Sequence, residues 1–223
     1  MCGRFSLTAE DFELKERFGV EVDSNIYTPR YNAAPSQKLA VISSDSPGQL
    51  SYYRWGLIPY WAKDPSIGYK LINARAETAA EKPSFRQAIK KRRCLVPANG
   101  FFEWKQDGNK QPYFFHLIQK ELFAFAGLWE SWKDAEGKKI RSFTILTTEA
   151  NQTMKGIHHR MPVILPRKNE QLWLDVSNEV PEEILKPFDS EEMDRYAVSS
   201  FVNKPVNDSP DILKPVEETG ELF

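Results

Sequence analysis

The sequence predicts an α+β fold in one domain: a mostly antiparallel, partly closed sheet with helices outside it. Three observations predict it. Between Cys94 and Thr147, short aromatic and β-branched runs follow one another, separated by Gly, Pro, Asn or Asp. Helical patterns do not alternate regularly with these runs, which argues against a parallel doubly wound sheet. The 223 residues, 41% hydrophobic and 27% charged, suit one core of ordinary composition and not a disordered chain.

Taken in order, Thr8 to Phe18 predicts a short helix capped by Thr8, with Leu14 and Phe18 on one face. Leu50 to Leu57 predicts a strand. Pro83 to Arg93 predicts a helix with Pro83 in its first turn and Phe85 and Ile89 on its apolar face. The strand series comprises Cys94 to Val96, Phe101 to Trp104, Tyr113 to Ile118, Leu122 to Trp129 and Ile140 to Thr147, with Met161 to Leu165 a further strand. Asp107-Gly108 and Glu136-Gly137 mark hairpin turns. Glu149 to Lys155, Lys168 to Leu174, Pro181 to Leu185 and Glu191 to Arg195 predict short helices. The stretch Asn203 to Phe223 is polar with three prolines, and its far end is expected to be disordered.

Several function classes are excluded or narrowed. No apolar run reaches the roughly 18 residues of a membrane span. Met1 to Glu10 does not read as a signal peptide, so a cytoplasmic location is expected. Two distant cysteines, Cys2 and Cys94, argue against a disulfide framework and a cysteine-based zinc site. A net charge of −1 excludes a uniformly basic nucleic-acid binder but not a locally basic groove. The densest basic run is Lys90 to Arg93, which reads equally well as a DNA patch or as a solvated helix end with cations at the favourable C-terminal dipole.

The chemistry begins at Met1-Cys2-Gly3-Arg4. Removal of Met1 would leave Cys2 with an α-amine and a thiol. The amine, with a reference pKa of about 7.7–8.0, is partly neutral in the cell and attacks an aldehyde to form a Schiff base. The thiol can then close a five-membered thiazolidine. A small residue near a frayed terminus is the plain alternative for Cys2. In Ile72-Asn73-Ala74-Arg75-Ala76-Glu77, Asn73 and Arg75 share a face if extended, where they could hold a hydroxyl or amine and a phosphate. An Asn turn followed by an Arg75–Glu77 surface pair is the alternative. Glu103, between Phe102 and Trp104, is either a general acid/base with raised pKa or a solvent-facing strand carboxylate. Histidine is scarce, with His116, His158 and His159 the three present. One of the tandem pair can shuttle protons. A Cys2, Glu103 and His metal set lacks the spacing of known zinc motifs. Arg160 contacts phosphate or pairs with a carboxylate. Trp55 reads as core, and Trp61 as a platform for an unpaired base.

These strings, in this order, resemble the SRAP family, the SOS response-associated peptidase or abasic-site processing proteins. The matching pieces are Met1-Cys2-Gly3-Arg4-Phe5, Tyr31-Asn32-Ala33-Ala34-Pro35, Trp55-Gly56-Leu57-Ile58-Pro59, Ile72 to Thr78, Cys94-Leu95-Val96-Pro97, Gly100 to Trp104 and His158 to Pro162. The resemblance implies a single α+β domain over 1–223, built on antiparallel, barrel-like sheets with a basic groove for one DNA strand. It implies that Cys2 bonds to the ring-opened sugar of an abasic site in single-stranded DNA, ending as a thiazolidine. Asn73 would position the N-terminus and sugar, Glu103 would move protons, and His158 would assist ring opening and reversal. Arg4, Arg75, Arg160, Trp61, Pro35 and Thr148 (or Thr147) would line the DNA site. Lyase chemistry and self-removal of Met1 are expected side activities, with no cofactor, no metal, no membrane partner and a monomeric state. Two other readings remain: an N-terminal-cysteine amidohydrolase or peptidase, and a non-covalent single-strand binder.

Overall fold

A computed structural model describes residues 2–106, 109–179 and 182–217. The N-terminal strand β1 (Phe5–Leu7) leads to helix α1 (Asp11–Phe18) and strands β2 (Arg30–Ala33), β3 (Lys38–Ser43) and β4 (Ser46–Trp55). Strand β5 (Asn73–Arg75) runs directly into α2 (Ala76–Ala79), followed by α3 (Ala88–Lys91). The predicted strand series follows as β6 (Arg93–Ala98), β7 (Gly100–Trp104), β8 (Pro112–Leu117), β9 (Phe123–Lys133) and β10 (Lys139–Glu149). The chain ends with β11 (Arg160–Pro162), β12 (Ile164–Leu165), α4 (Glu170–Leu174) and β13 (Met193–Ala197).

Five strands close on themselves. β10 pairs with β4, β4 with β3, β3 with β6, β6 with β9, and β9 returns to β10. Closure removes the free edges of this small barrel. β11 and β5 extend it beside β10, and β12 extends it beside β9. A second, open sheet has the order β13-β8-β7-β1-β2. Pairing is antiparallel except where β4 and β5 lie along β10.

Aromatic side chains lock the two sheets together. Phe5 on β1 packs 5.2 Å from Trp55 and 5.9 Å from Phe125 of the barrel, and Phe101 on β7 lies 5.9 Å from Phe125. Alternation along β7 sets the rest. Phe101 and Glu103 share the face toward the barrel. Phe102 turns outward into a second cluster with Phe114, Val198, Val202 and Ile212.

Several predicted elements differ. Helix α1 starts at Asp11, because the Thr8 amide is taken by Asn99 Oδ1 at 3.0 Å and Glu13 Oε2 instead accepts from the Glu10 amide at 2.7 Å. The Pro83 to Arg93 helix contracts to α3, since Arg93 belongs to β6. Its guanidinium is buried and donates to the carbonyls of Ile89, Asp175 and Asn178. The basic run is therefore not one patch: Arg93 is core, Arg92 pairs with Glu130 at 2.8 Å, and only Lys90 and Lys91 are exposed. Glu191 to Arg195 is helical only at its start, where Glu191 and Glu192 close a 3-10 turn begun at Ser190. Its second half is the edge strand β13, recruited by pairing with β8. Glu149 to Lys155 ends β10 and continues as turns, with Asn151 Oδ1 accepting from Met154 N–H and Gly156 at φ 87°. Met161 to Leu165 divides at Val163, whose amide bonds back to β10 while its carbonyl accepts from β9. The Glu136-Gly137 turn is present, with Gly137 at φ 83°. Asp107-Gly108, Pro181 and the far C-terminal end from Glu218 lie outside the described residues. No helix among the described residues is long and apolar enough to cross a membrane.

Candidate active site

The seam between the two sheets gathers residues from four distant parts of the chain. Cys2 enters it just before β1, Asn73 opens β5, Glu103 lies on β7, and His158 precedes β11. Asn73 Nδ2 donates to the Cys2 carbonyl at 2.8 Å. Asn73 Oδ1 is buried and has no hydrogen-bond partner among the described residues, leaving an acceptor beside Cys2. His158 Nε2 stands 3.9 Å from Glu103 Oε1. That exceeds a hydrogen bond, but it is near enough for proton transfer through an intervening group.

Electrostatics follow from dryness. Glu103 is 4% exposed and Cys2 is fully buried. The sequence left open a solvent-facing Glu103, and β7's alternation decides against it. Burial raises the Glu103 carboxyl above its ordinary range. Burial, then the neighbouring Glu103 charge, pushes the Cys2 thiol up to about 12, so it rests as the thiol and donates weakly to the Arg4 carbonyl at 3.7 Å. Burial first, then nearby positive charge, lowers His158 to about 4, so its ring is neutral near pH 7. His159 is exposed and stacks on His158 at 4.4 Å.

The remaining expected site residues divide. Arg75 is exposed on β5, on the same strand face as Asn73 and one step toward solvent. Trp61 is 47% exposed, with its indole N–H near the Pro83 carbonyl. Trp55, by contrast, is fully buried core. Pro35 is half-buried at the end of β2. Arg4 is half-buried and donates to the carbonyls of Gly3 and Asn203. Thr148 is nearly buried on β10, and Thr147 Oγ1 lies 3.4 Å from the Ala74 carbonyl. Of the two partners left open for Arg160, the fold supplies the carboxylate. Arg160 is buried and grips Glu77 with two bonds of 2.8 Å, donating also to the Thr147 carbonyl at 2.7 Å. Glu77 therefore makes its bidentate pair with Arg160 on the far side of β10, and Arg75 acts on it only as a nearby charge. No group of three His, Cys, Asp or Glu residues is placed to hold a metal ion among the described residues.

Sequence reading missed one structural support. The stretch from Ser199 to Asp208 is strapped to β2. Asn32 Nδ2 donates to the carbonyls of Val202, Lys204 and Asn207, and Asp208 accepts from the Tyr31 and Asn32 amides. Asn203 then reaches Arg4 through its carbonyl and the Trp104 indole through Oδ1. The available signal was Asn32 itself, a polar residue inside an apolar strand string.

Comparisons agree with this architecture. The family model described as SOS response associated peptidase (SRAP) matches residues 1–205. The abasic site processing protein YoqW of Bacillus subtilis is 47% identical over 222 residues, covering 96% of this chain and 99% of that one. The abasic site processing protein HMCES of Gallus gallus is 34% identical, covering 86% of this chain and 67% of that one. A crystal structure of a Bacteroides thetaiotaomicron protein superposes with a TM-score of 0.89 at 35% identity, over 96% of this chain and all of that one. A match across nine-tenths of the chain, in sequence and in fold, places this protein in the SRAP family.

Proposed function

We propose that this protein processes abasic sites by capturing them covalently in single-stranded DNA, through a Cys2 freed of Met1. The relatives' names supply the substrate class. The observation that carries the covalent reading is the convergence of Cys2, Asn73, Glu103 and His158 in one dry seam.

The closed sugar must first open. The Glu103 carboxyl gives its proton to the ring oxygen and takes back the anomeric hydroxyl proton, which leaves the aldehyde, while the neutral His158 ring donates a hydrogen bond from Nε2–H to the departing ring oxygen. The Cys2 amine adds to C1′, and the carbinolamine loses its hydroxyl as water with a proton from Glu103, leaving an iminium. The Cys2 sulfur then bonds to the same carbon while its proton passes to the Glu103 carboxylate. The sum is amine, thiol and aldehyde giving thiazolidine and water. Burial suits Glu103 to both halves, because a carboxyl whose pKa is raised holds a proton more readily between giving and taking one. Asn73 holds the Cys2 backbone, so the amine and thiol approach one carbon. Arg75 at the mouth and Trp61 supply a phosphate contact and a stacking face, with Arg4, Pro35 and Thr148 shaping the rim. If elimination outruns ring closure, the Schiff base gives strand scission, a lyase side reaction. Met1 leaves by hydrolysis, either within this site or by methionine aminopeptidase. We place the reaction in a monomer in the cytoplasm.

The protonated thiol favours amine-first chemistry over thiolate attack on an amide, so peptidase action on other proteins ranks second. The test is a denaturing gel of the protein with a single-stranded oligonucleotide carrying one abasic site, beside an intact-base control. A lesion-dependent band absent in Cys2→Ala supports capture, and mass spectrometry of it should show N-terminal Cys2 carrying the sugar. No band, with Met1 verified as gone, sinks the proposal.

A further inference from the structure

His158 has a second contact that bears on its orientation. Its Nδ1 lies 2.9 Å from the Arg160 amide nitrogen and 3.1 Å from the Arg160 carbonyl. The amide hydrogen is fixed and can only donate, so the nearer contact makes Nδ1 the acceptor. The proton of the neutral ring then sits on Nε2, the nitrogen facing Glu103. The Arg160 amide is available for this because the His159 carbonyl and Val163 amide take the bonds toward β10, and an antiparallel ladder engages alternate residues.

What holds the Arg160 backbone there is its own side chain. Arg160 is 8% exposed, and its guanidinium is fixed by the Thr147 carbonyl on β10 and both oxygens of Glu77. A bidentate guanidinium–carboxylate pair fixes orientation as well as distance. Glu77 lies on α2, which follows β5 without a break, so the same clamp joins the element bearing Asn73 to the segment bearing His158. The charged or titratable groups that act on the imidazole are Glu103 from β7, the positive charge of the N-terminus, and His159 and Arg160 from its own segment. Glu77 reaches it only through Arg160.

We propose that Glu77 is a positioning residue for His158: it clamps Arg160, whose amide holds the imidazole with Nε2–H turned toward Glu103. The clamp's role in the reaction rests on the covalent-capture reading above, but its effect on the ring does not.

The experiment is nitrogen NMR at pH 7 on protein labelled with 15N-histidine, comparing wild type, Glu77→Ala and Glu77→Gln. With three histidines in the chain, a His158→Gln sample assigns the signal. Wild type should show His158 protonated on Nε2 alone. Glu77→Ala should show mixed tautomers, and Glu77→Gln, which keeps the side-chain shape and one acceptor, an intermediate signal. Capture of an abasic oligonucleotide at saturating DNA should slow roughly tenfold in Glu77→Ala, the scale expected when a proton donor is misaligned. If Glu77→Ala does not fold, Glu77→Gln decides, because it removes the charge and keeps the volume. An unchanged tautomer in the folded variants overturns the proposal, as does a changed tautomer with an unchanged capture rate. Wild type that forms no adduct sinks the functional reading instead, and the tautomer then decides the clamp alone.

Discussion

Cys94 lies inside the barrel on β6, and Cys2 lies in the seam where the barrel meets the open sheet. Both thiols are fully buried, and burial raises the pKa of each. Their neighbours differ. Cys94 faces Gly127 of β9, where an added Cβ would stand 2.8 Å from its sulfur and 3.1 Å from Val96. Cys2 has Asn73 on its carbonyl and Glu103 in its field. The difference teaches that dryness alone makes a thiol inert. On the proposed reading, carboxyl, amide and imidazole groups placed beside Cys2 are what make that thiol usable, because each polar group in a low-dielectric seam acts strongly on its neighbour.

The largest effect should separate the two sulfurs. Cys2→Ala should abolish the lesion-dependent adduct on a denaturing gel. Cys94→Ala should leave its rate unchanged while lowering stability by about 1 kcal/mol in urea unfolding, as expected for a small buried cavity. An adduct surviving in Cys2→Ala would erase the contrast. Next comes Glu103→Gln, which keeps the shape but cannot exchange protons. Single-turnover capture should slow by roughly a hundredfold, the usual scale for a general acid/base, with wild-type thermal stability or better. Retained rate would remove Glu103 from the chemistry.

A third test sharpens the packing side. Gly127→Ala should destabilise by about 1–3 kcal/mol through overpacking against Cys94. The double variant with Cys94→Ala should recover part of that loss, since removing the sulfur makes room. Strict additivity would mean that the two sites do not touch. The smallest effect concerns pH. The folded pKa of His158 is lowered from 6.5 to about 4, so the unfolded chain binds more protons in that window. The stabilising contribution is full above 6.5 and is lost as pH falls toward about 4. His158→Gln should therefore flatten the decline in melting temperature between those values. An equally steep decline would assign it to other groups.

Much of this was legible in sequence because it is local. The strand series β6 to β10 follows from alternation and turn residues, and Cys2, Asn73, Glu103 and His158 sit in short strings whose side chains already suggest proton and aldehyde chemistry. The open choices at those strings were not local. Whether Glu103 faced solvent depended on which side of β7 met the barrel. Whether Arg160 sought phosphate or carboxylate depended on Glu77, 83 positions away. The missed strand β13 shows the same limit, since its sequence suits a short helix and only the open edge of β8 makes it extended.

By itself, then, the sequence determined the central run of strands and the chemical inventory, because backbone propensity and side-chain chemistry travel with each residue. Only the tertiary structure decided that five strands close into a barrel and that Arg93 is core. It alone turned Glu77 to Arg160 and gathered four distant residues in one seam. Those outcomes depend on contacts between segments far apart in the chain, whose energies exist only once the sheets have met.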